Sequence, residues 1–226
     1  MKLGILSDLH LEFDRSYPAW DFEPEPDVFY ICAGDIHSNH YERFAFISRH
    51  EDHMFHVLGN HDYYGREFPH EGLGKTFEKD GVKFAGATLW TDLSDPQDWY
   101  NYVNGLVDSR YINGLSYDAY NERFQEHLDF LLNSEADVIV THHCPTLKAI
   151  APQFQTGDSV KYNPGFASDL EQKILDMKKP PKLWVYGHTH WRHSYTIGET
   201  FFVCNPRGYP RENGYYSTYK PEVIEL

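Results

Sequence analysis

Five short polar motifs punctuate this chain: Asp8-Leu9-His10, Gly34-Asp35, Gly59-Asn60-His61-Asp62, His142-His143 and Gly187-His188-Thr189-His190. Each follows a short apolar, β-prone run. Asp8 and His10 are one residue apart where a strand should stop, so in extended backbone their side chains share a face and one metal could take both. Asp35 follows Gly34 at the next strand end, and its two oxygens suit it to bridge two cations. Asn60 offers a neutral carbonyl oxygen, and His142, His188 and His190 offer imidazole nitrogens. An oxygen and nitrogen set without thiolate suits two transition metal ions, divalent or trivalent, of the Mn, Fe, Zn, Ni or Co type. Two such ions about 3.5–4 Å apart can clamp the attacking and leaving oxygens of a phosphate ester.

The elements that must position these residues are strands. Apolar runs predict strands at 2–7, 27–33, 53–58, 82–90, 137–141, 182–186 and, past a Gly198 turn, 200–204. In an open α/β sheet the carboxyl ends of neighbouring strands meet at one crevice, where side chains far apart in sequence can converge. Helical spacing of Tyr120, Phe124, His127, Leu128 and Leu131 predicts a helix over 118–132 with Asp118 as N-cap, and a second is expected at 168–177. Helix and strand signals alternate poorly in the first half, so a mixed sheet packed in layers with helices is expected. Stretches 90–114 and 152–165 read as long loops able to cap the crevice. No repeat or linker breaks the chain, and 1–226 reads as one domain.

The composition narrows the function. A formal net charge of −14, from 34 acids and 20 bases, creates a field that repels polyanions and argues against non-specific nucleic-acid binding. No run approaches the roughly 18–20 apolar residues of a membrane span, and the amino terminus lacks a signal-peptide pattern, so the chain reads as cytoplasmic. Cys32, Cys144 and Cys204 are irregularly spaced and odd in number, which speaks against a disulfide framework.

Taken together, the five motifs resemble those of the calcineurin-like metallophosphoesterase superfamily, whose blocks run D-x-H, G-D, G-N-H-[DE], H and G-H-x-H. The likeness spans Asp8 to His190, and Thr141-His142-His143-Cys144-Pro145 with Asn205-Pro206-Arg207-Gly208-Tyr209 is similar to the small bacterial and phage-type members. The resemblance implies a four-layer β-sandwich of two mixed sheets flanked by helices. It also implies one metal on Asp8, His10, Asp35 and His190 and a second on Asp35, Asn60, His142 and His188. By the same resemblance His61 is the general acid near the leaving group, and hydrolysis of small phosphodiesters, nucleotides or phosphomonoesters by metal-activated hydroxide is the expected activity.

Asn60, His143 and Arg207 are candidate substrate contacts. His143 reads equally as a buried, hydrogen-bonded histidine, and Arg207 as the partner of an acid in a turn. One departure from the superfamily's protein phosphatases is evident: Ser38 stands where an acid would orient the catalytic histidine, and Asn39 stands where an arginine would follow it. Two other functions stay open. A non-catalytic metal-binding or protein-interaction module would be expected to have lost ligands that are all present here, and a nuclease should bring a basic track that this acidic chain lacks. The expected partner is a small phosphate ester, without a membrane, and the oligomeric state is open with a homodimer among the options.

Overall fold

Alternation of side chains along the strands decides how the layers stack. The computed structural model describes residues 1–14, 19–68, 74–212, 214 and 216–226. Its first sheet holds β1 (Lys2–Leu6), β2 (Val28–Ala33) and β3 (Met54–Val57) in parallel, with helix α1 (His40–His50) between β2 and β3. The second sheet begins with the hairpin β4 (Lys75–Lys79) and β5 (Val82–Ala87). Helices α2 (Pro96–Gly105), α3 (Asp108–Tyr111) and α4 (Tyr117–Leu132) then lead into β6 (Val138–Thr141). Helix α5 (Glu171–Leu175), β7 (Leu183–Val185), the hairpin β8 (His193–Ile197) and β9 (Thr200–Cys204), and finally β10 (Glu222–Glu225) complete the chain. The sheet orders are β10-β1-β2-β3 and β4-β5-β6-β7-β9-β8, both mixed, with antiparallel strands at their edges.

In β1 and β2, Leu3, Ile5, Phe29 and Ile31 point into the space between the sheets. There they meet Val138, Val140, Leu183 and Val185 from β6 and β7. The alternate residues Tyr30 and Cys32 face outward with Phe46 of α1, and Ile139 and Trp184 face outward into a larger cluster with Trp90, Tyr120, Phe124 and Leu128. Both faces of both sheets are thus apolar, as buried parallel strands require. The result is the four-layer sandwich the motifs implied.

Several elements differ from the sequence expectation. The α4 N-cap is Ser116, whose hydroxyl accepts from Ala119 N, and not Asp118. The stretch 90–114 is largely helical, with Asp95 accepting from Gln97 N ahead of Pro96 at the first turn, a start signal that the polar run after it obscured. The segment 152–165 is wound into 3-10 turns, and the helix expected at 168–177 is confined to Glu171–Leu175. The edge strands β4, β8 and β10 and helix α1 lack the continuous apolar runs that marked the central strands. Cys32, Cys144 and Cys204 are buried free thiols. Among the described residues no helix is long and apolar enough to cross a membrane.

Candidate functional site

Parallel strands deliver their carboxyl ends to one edge of the sandwich. Asp8 follows β1, Asp35 follows β2, Asn60 follows β3, His142 follows β6, and His188 and His190 follow β7. The backbone there is not extended, as the Asp8-x-His10 spacing suggested. Asp8, His10, Asp35, His188 and His190 all have positive φ, between 45° and 72°, which makes them five of the nine such non-glycine residues among those described. Left-handed backbone of this kind is costly for residues with a Cβ and gathers where geometry is functional. Glycines permit the close approach. At Gly34, with φ +87°, a Cβ would lie 2.6 Å from His142 Nδ1, and at Gly59 it would collide with the Asp35 carboxylate.

The donor atoms converge. His142 Nε2 lies 2.9 Å from Asn60 Oδ1 and 3.4 Å from Asp35 Oδ2, while His10 Nε2 lies 3.6 Å from the same Asp35 oxygen. His190 Nε2 is 3.5 Å from Asp8 Oδ1 and only 2.9 Å from His10 Nε2. The far side of each ring is held: His142 Nδ1 donates to Ala33 O at 2.8 Å, His10 Nδ1 to Glu12 at 3.1 Å and His190 Nδ1 to Glu212 at 2.6 Å. An imidazole anchored through Nδ1 presents the Nε2 lone pair to a metal. Asn60 is held likewise, since its Nδ2 donates to Asp108 at 2.8 Å and Tyr64 and Tyr102 donate to the same carboxylate. Its Oδ1 therefore faces inward.

Two observations show that this donor set fits cations. Asp8 Oδ2 and His188 Nε2 are buried without a hydrogen-bond partner among the described residues, a costly state for atoms that are good ligands. The titration of the cluster tells the same story. Burial pushes the carboxyls of Asp8 and Asp35 up, but the neighbouring imidazoles outweigh it, holding Asp8 at about 2 and Asp35 well below the carboxylate range. Conversely burial lowers His142 and His190, yet the acids lift them to about 9 and about 10. Protons on those rings supply the positive charge the carboxylates demand, and metal binding would release them.

His61 sits at the rim of this cluster. Its backbone N–H donates to Asp35 Oδ1 at 2.9 Å, its Nδ1 contacts Glu12 at 3.1 Å and its Nε2 is hydrogen-bonded with the Tyr209 hydroxyl at 2.9 Å. Burial opposes its charging, but Asp35 and Glu12 prevail and raise its pKa above the usual value. The ring also stacks on Tyr64 at 4.4 Å. The acid absent at Ser38 is thus supplied by Glu12, from the 3-10 turn Leu11–Phe13, a residue the sequence reading passed over. Asp62, also unassigned from sequence, is a brace: it accepts from the backbone N–H groups of Asp35, Ile36, His37 and Gly59 and fixes two motifs to each other.

Two expected substrate contacts lie elsewhere. His143 is fully buried behind His188, with ring centroids 4.3 Å apart, and burial holds its pKa well below the normal range, so it is neutral. Arg207 is 3% exposed and turned away from the cavity: its guanidinium pairs with Asp14 at 2.7 Å, donates to Leu9 O at 3.0 Å and lies 4.0 Å from the Tyr216 ring centroid. Of the two readings open for Arg207, this placement favours the partner of an acid in a turn over a phosphate contact. Arg207 tethers the start of the Glu12 turn instead.

Asp35, Asn60, His61, His188 and His190 form the floor of a cavity of about 470 Å³. Its walls come from the α2–α3 junction and from residues 150–166. Tyr209 and Glu212 close one side, with the Tyr209 ring 4.5 Å from both His10 and His190.

Comparison with known proteins shows the family and the fold. An uncharacterized protein, L509, of Acanthamoeba polyphaga mimivirus is 27% identical over 270 residues, spanning 96% of this chain and 94% of its own. The crystal structure of a phosphopantetheinyl hydrolase from Mycobacterium tuberculosis superposes with a TM-score of 0.68 at 16% identity, covering 98% of this chain and 95% of that one. The likeness shows a common fold. Residues 1–192 match the family described as calcineurin-like phosphoesterase. With that match over most of its length, five motifs in family order and the two-sheet sandwich that carries them, the chain belongs to the calcineurin-like phosphoesterase family.

Proposed function

We propose that this protein is a dinuclear metal-dependent hydrolase of small phosphate esters, diesters foremost, with nucleotides and monoesters as further candidates. The observation that carries the reading is the convergence of seven donor residues from strand ends distant in sequence, with Asp8 Oδ2 and His188 Nε2 buried and unpartnered. Asp8, His10, Asp35 and His190 would hold one cation and Asp35, Asn60, His142 and His188 the other. Held there, two cations would supply charge neutralisation at the phosphoryl oxygens and an ionised water near neutral pH.

The remaining chemistry belongs to the protein. His61 Nε2 faces the cavity and, when protonated, donates to the departing alkoxide, while Glu12 holds Nδ1 and so fixes which nitrogen is presented. Asp108 keeps the Asn60 oxygen turned inward. Tyr209, bonded to His61 Nε2, covers the acid and must yield that contact when a leaving group arrives.

The test is turnover of bis(p-nitrophenyl) phosphate and p-nitrophenyl phosphate by metal-reconstituted protein. Asp35→Asn is expected to lower kcat/KM at least about a thousandfold, since two-metal charge stabilisation supplies several kcal/mol and each decade corresponds to about 1.4 kcal/mol. His61→Ala is expected to cost about a hundredfold with alkyl leaving groups and far less with p-nitrophenolate, which departs without a proton. Full activity in Asp35→Asn would refute the reading.

A further inference from the structure

The walls of the cavity differ in kind from its floor. The α2–α3 junction contributes Leu106 and Val107, and residues 150–166 contribute Ile150, Phe154, Tyr162 and Phe166. The two walls meet at Gly105, where a Cβ would strike the Tyr162 ring, so the apolar surface is built by direct packing of one segment on the other. Rings also flank the floor: Tyr64 stacks on His61, and Phe166 lies 5.0 Å from His188 at an interplanar angle of 34°.

Among the described residues, no cationic side chain stands where a second phosphate would need one. No lysine or arginine lines the cavity among the described residues. The exposed Lys161 lies over the Tyr162 ring at 5.1 Å without itself lining the cavity, and Arg207 is turned into its pair with Asp14. The acids that line it beyond Asp35 are Asp108, held by Asn60, Tyr64 and Tyr102, and Glu212, held by His190 and the Tyr209 N–H. The charge of two cations less Asp8 and Asp35 accommodates one phosphoryl group. A further phosphate would be desolvated against apolar side chains and two acids, with no guanidinium or ammonium among the described lining residues to receive it. A flat uncharged ring finds the opposite: aromatic and aliphatic walls, with Ser159, Asn163 and Thr189 at hand for its heteroatoms.

We propose that the cavity selects esters of a single phosphate whose organic group is an uncharged aromatic or heteroaromatic ring, and discriminates against esters carrying a further phosphate. This deepens the phosphoesterase reading and, as a statement about substrate, rests on it. Leu106, Val107, Ile150, Phe154 and Phe166 are then specificity-determining residues.

Calorimetric titration of the Mn-reconstituted protein, without free metal, tests it with methylphosphonate, benzylphosphonate and benzyl diphosphate, alongside turnover of bis(p-nitrophenyl) phosphate. Benzylphosphonate is expected to bind at least about tenfold more tightly than methylphosphonate, and benzyl diphosphate no more tightly than benzylphosphonate. The double variant Phe154→Ala/Val107→Ser alters side chains that are 48% and 45% exposed, so folding is spared, and it should narrow the benzyl-to-methyl gap. Val107→Lys should favour the diphosphate. Equal binding of the methyl and benzyl probes, an unchanged gap in the double variant, or preference of the wild type for the diphosphate would overturn the inference. Ring preference without turnover would instead overturn the phosphoesterase reading and leave the selectivity of the cavity standing.

Discussion

The floor and the walls of one cavity are built by different rules. On the floor, side chains sit on left-handed backbone at strand ends, and nearly every imidazole and amide is fixed by a second group: Glu12 behind His10 and His61, Glu212 behind His190, Asp108 behind Asn60. On the walls, the side chains of Phe154 and Val107 are nearly half exposed and carry no polar atom for a second group to hold. A floor of this kind tolerates little change, because moving one group leaves another buried polar atom without a partner. A wall of apolar side chains can be recut at small cost in stability. Chemistry is thus written in the rigid part and selectivity in the replaceable part.

That contrast can be broken from the floor's side. Asp14→Ala removes the carboxylate paired with the buried Arg207 guanidinium and loosens the turn that carries Glu12, and about 3 kcal/mol of stability should be lost at neutral pH, read by denaturant unfolding. Burial raises the Asp14 carboxyl, but Arg207 and Tyr216 more than compensate and hold its pKa below the usual value. A carboxyl depressed in the folded state stabilises above its unfolded pKa of about 3.9, and that contribution fades as pH falls through the folded value. The gap between Asp14→Ala and wild type should therefore close in acid. A pH-independent gap would mean that the pair contributes through packing and not charge.

Glu12→Gln sharpens the comparison with a smaller effect. Losing the anion behind His61 should slow esters with alkyl leaving groups about tenfold, in the range of groups that orient catalytic or ligating imidazoles, while p-nitrophenyl esters change less. Glu12→Asp should recover part of the loss. Equal slowing of both substrate types would show that Glu12 acts through His10 and the metals.

The same division explains what could be read from the chain. Asp8, His10, Asp35, Asn60, His142, His188 and His190 stand in short motifs after apolar runs, so their convergence was legible. Glu12 was not, because its role depends on a 3-10 turn that folds its carboxylate against a histidine 49 positions away. Asp108 is 48 positions from Asn60 and lies in a polar stretch that gave no sign of its helices. Arg207 read two ways for the opposite reason: a guanidinium near the last motif suits phosphate as well as an acid, and only the fold reveals that Asp14 holds it. The wall residues carry no reactive group and become visible only once the two segments close over the floor.

Metal content is the most direct measurement of the central claim. Protein stripped with chelator, reconstituted with Mn, freed of excess ion and analysed by elemental spectrometry should hold two ions per chain. Asp35→Asn, which removes the shared carboxylate, should hold fewer than two. Retention of no more than one ion by the wild type, or of two by Asp35→Asn, would contradict a dinuclear centre bridged by Asp35.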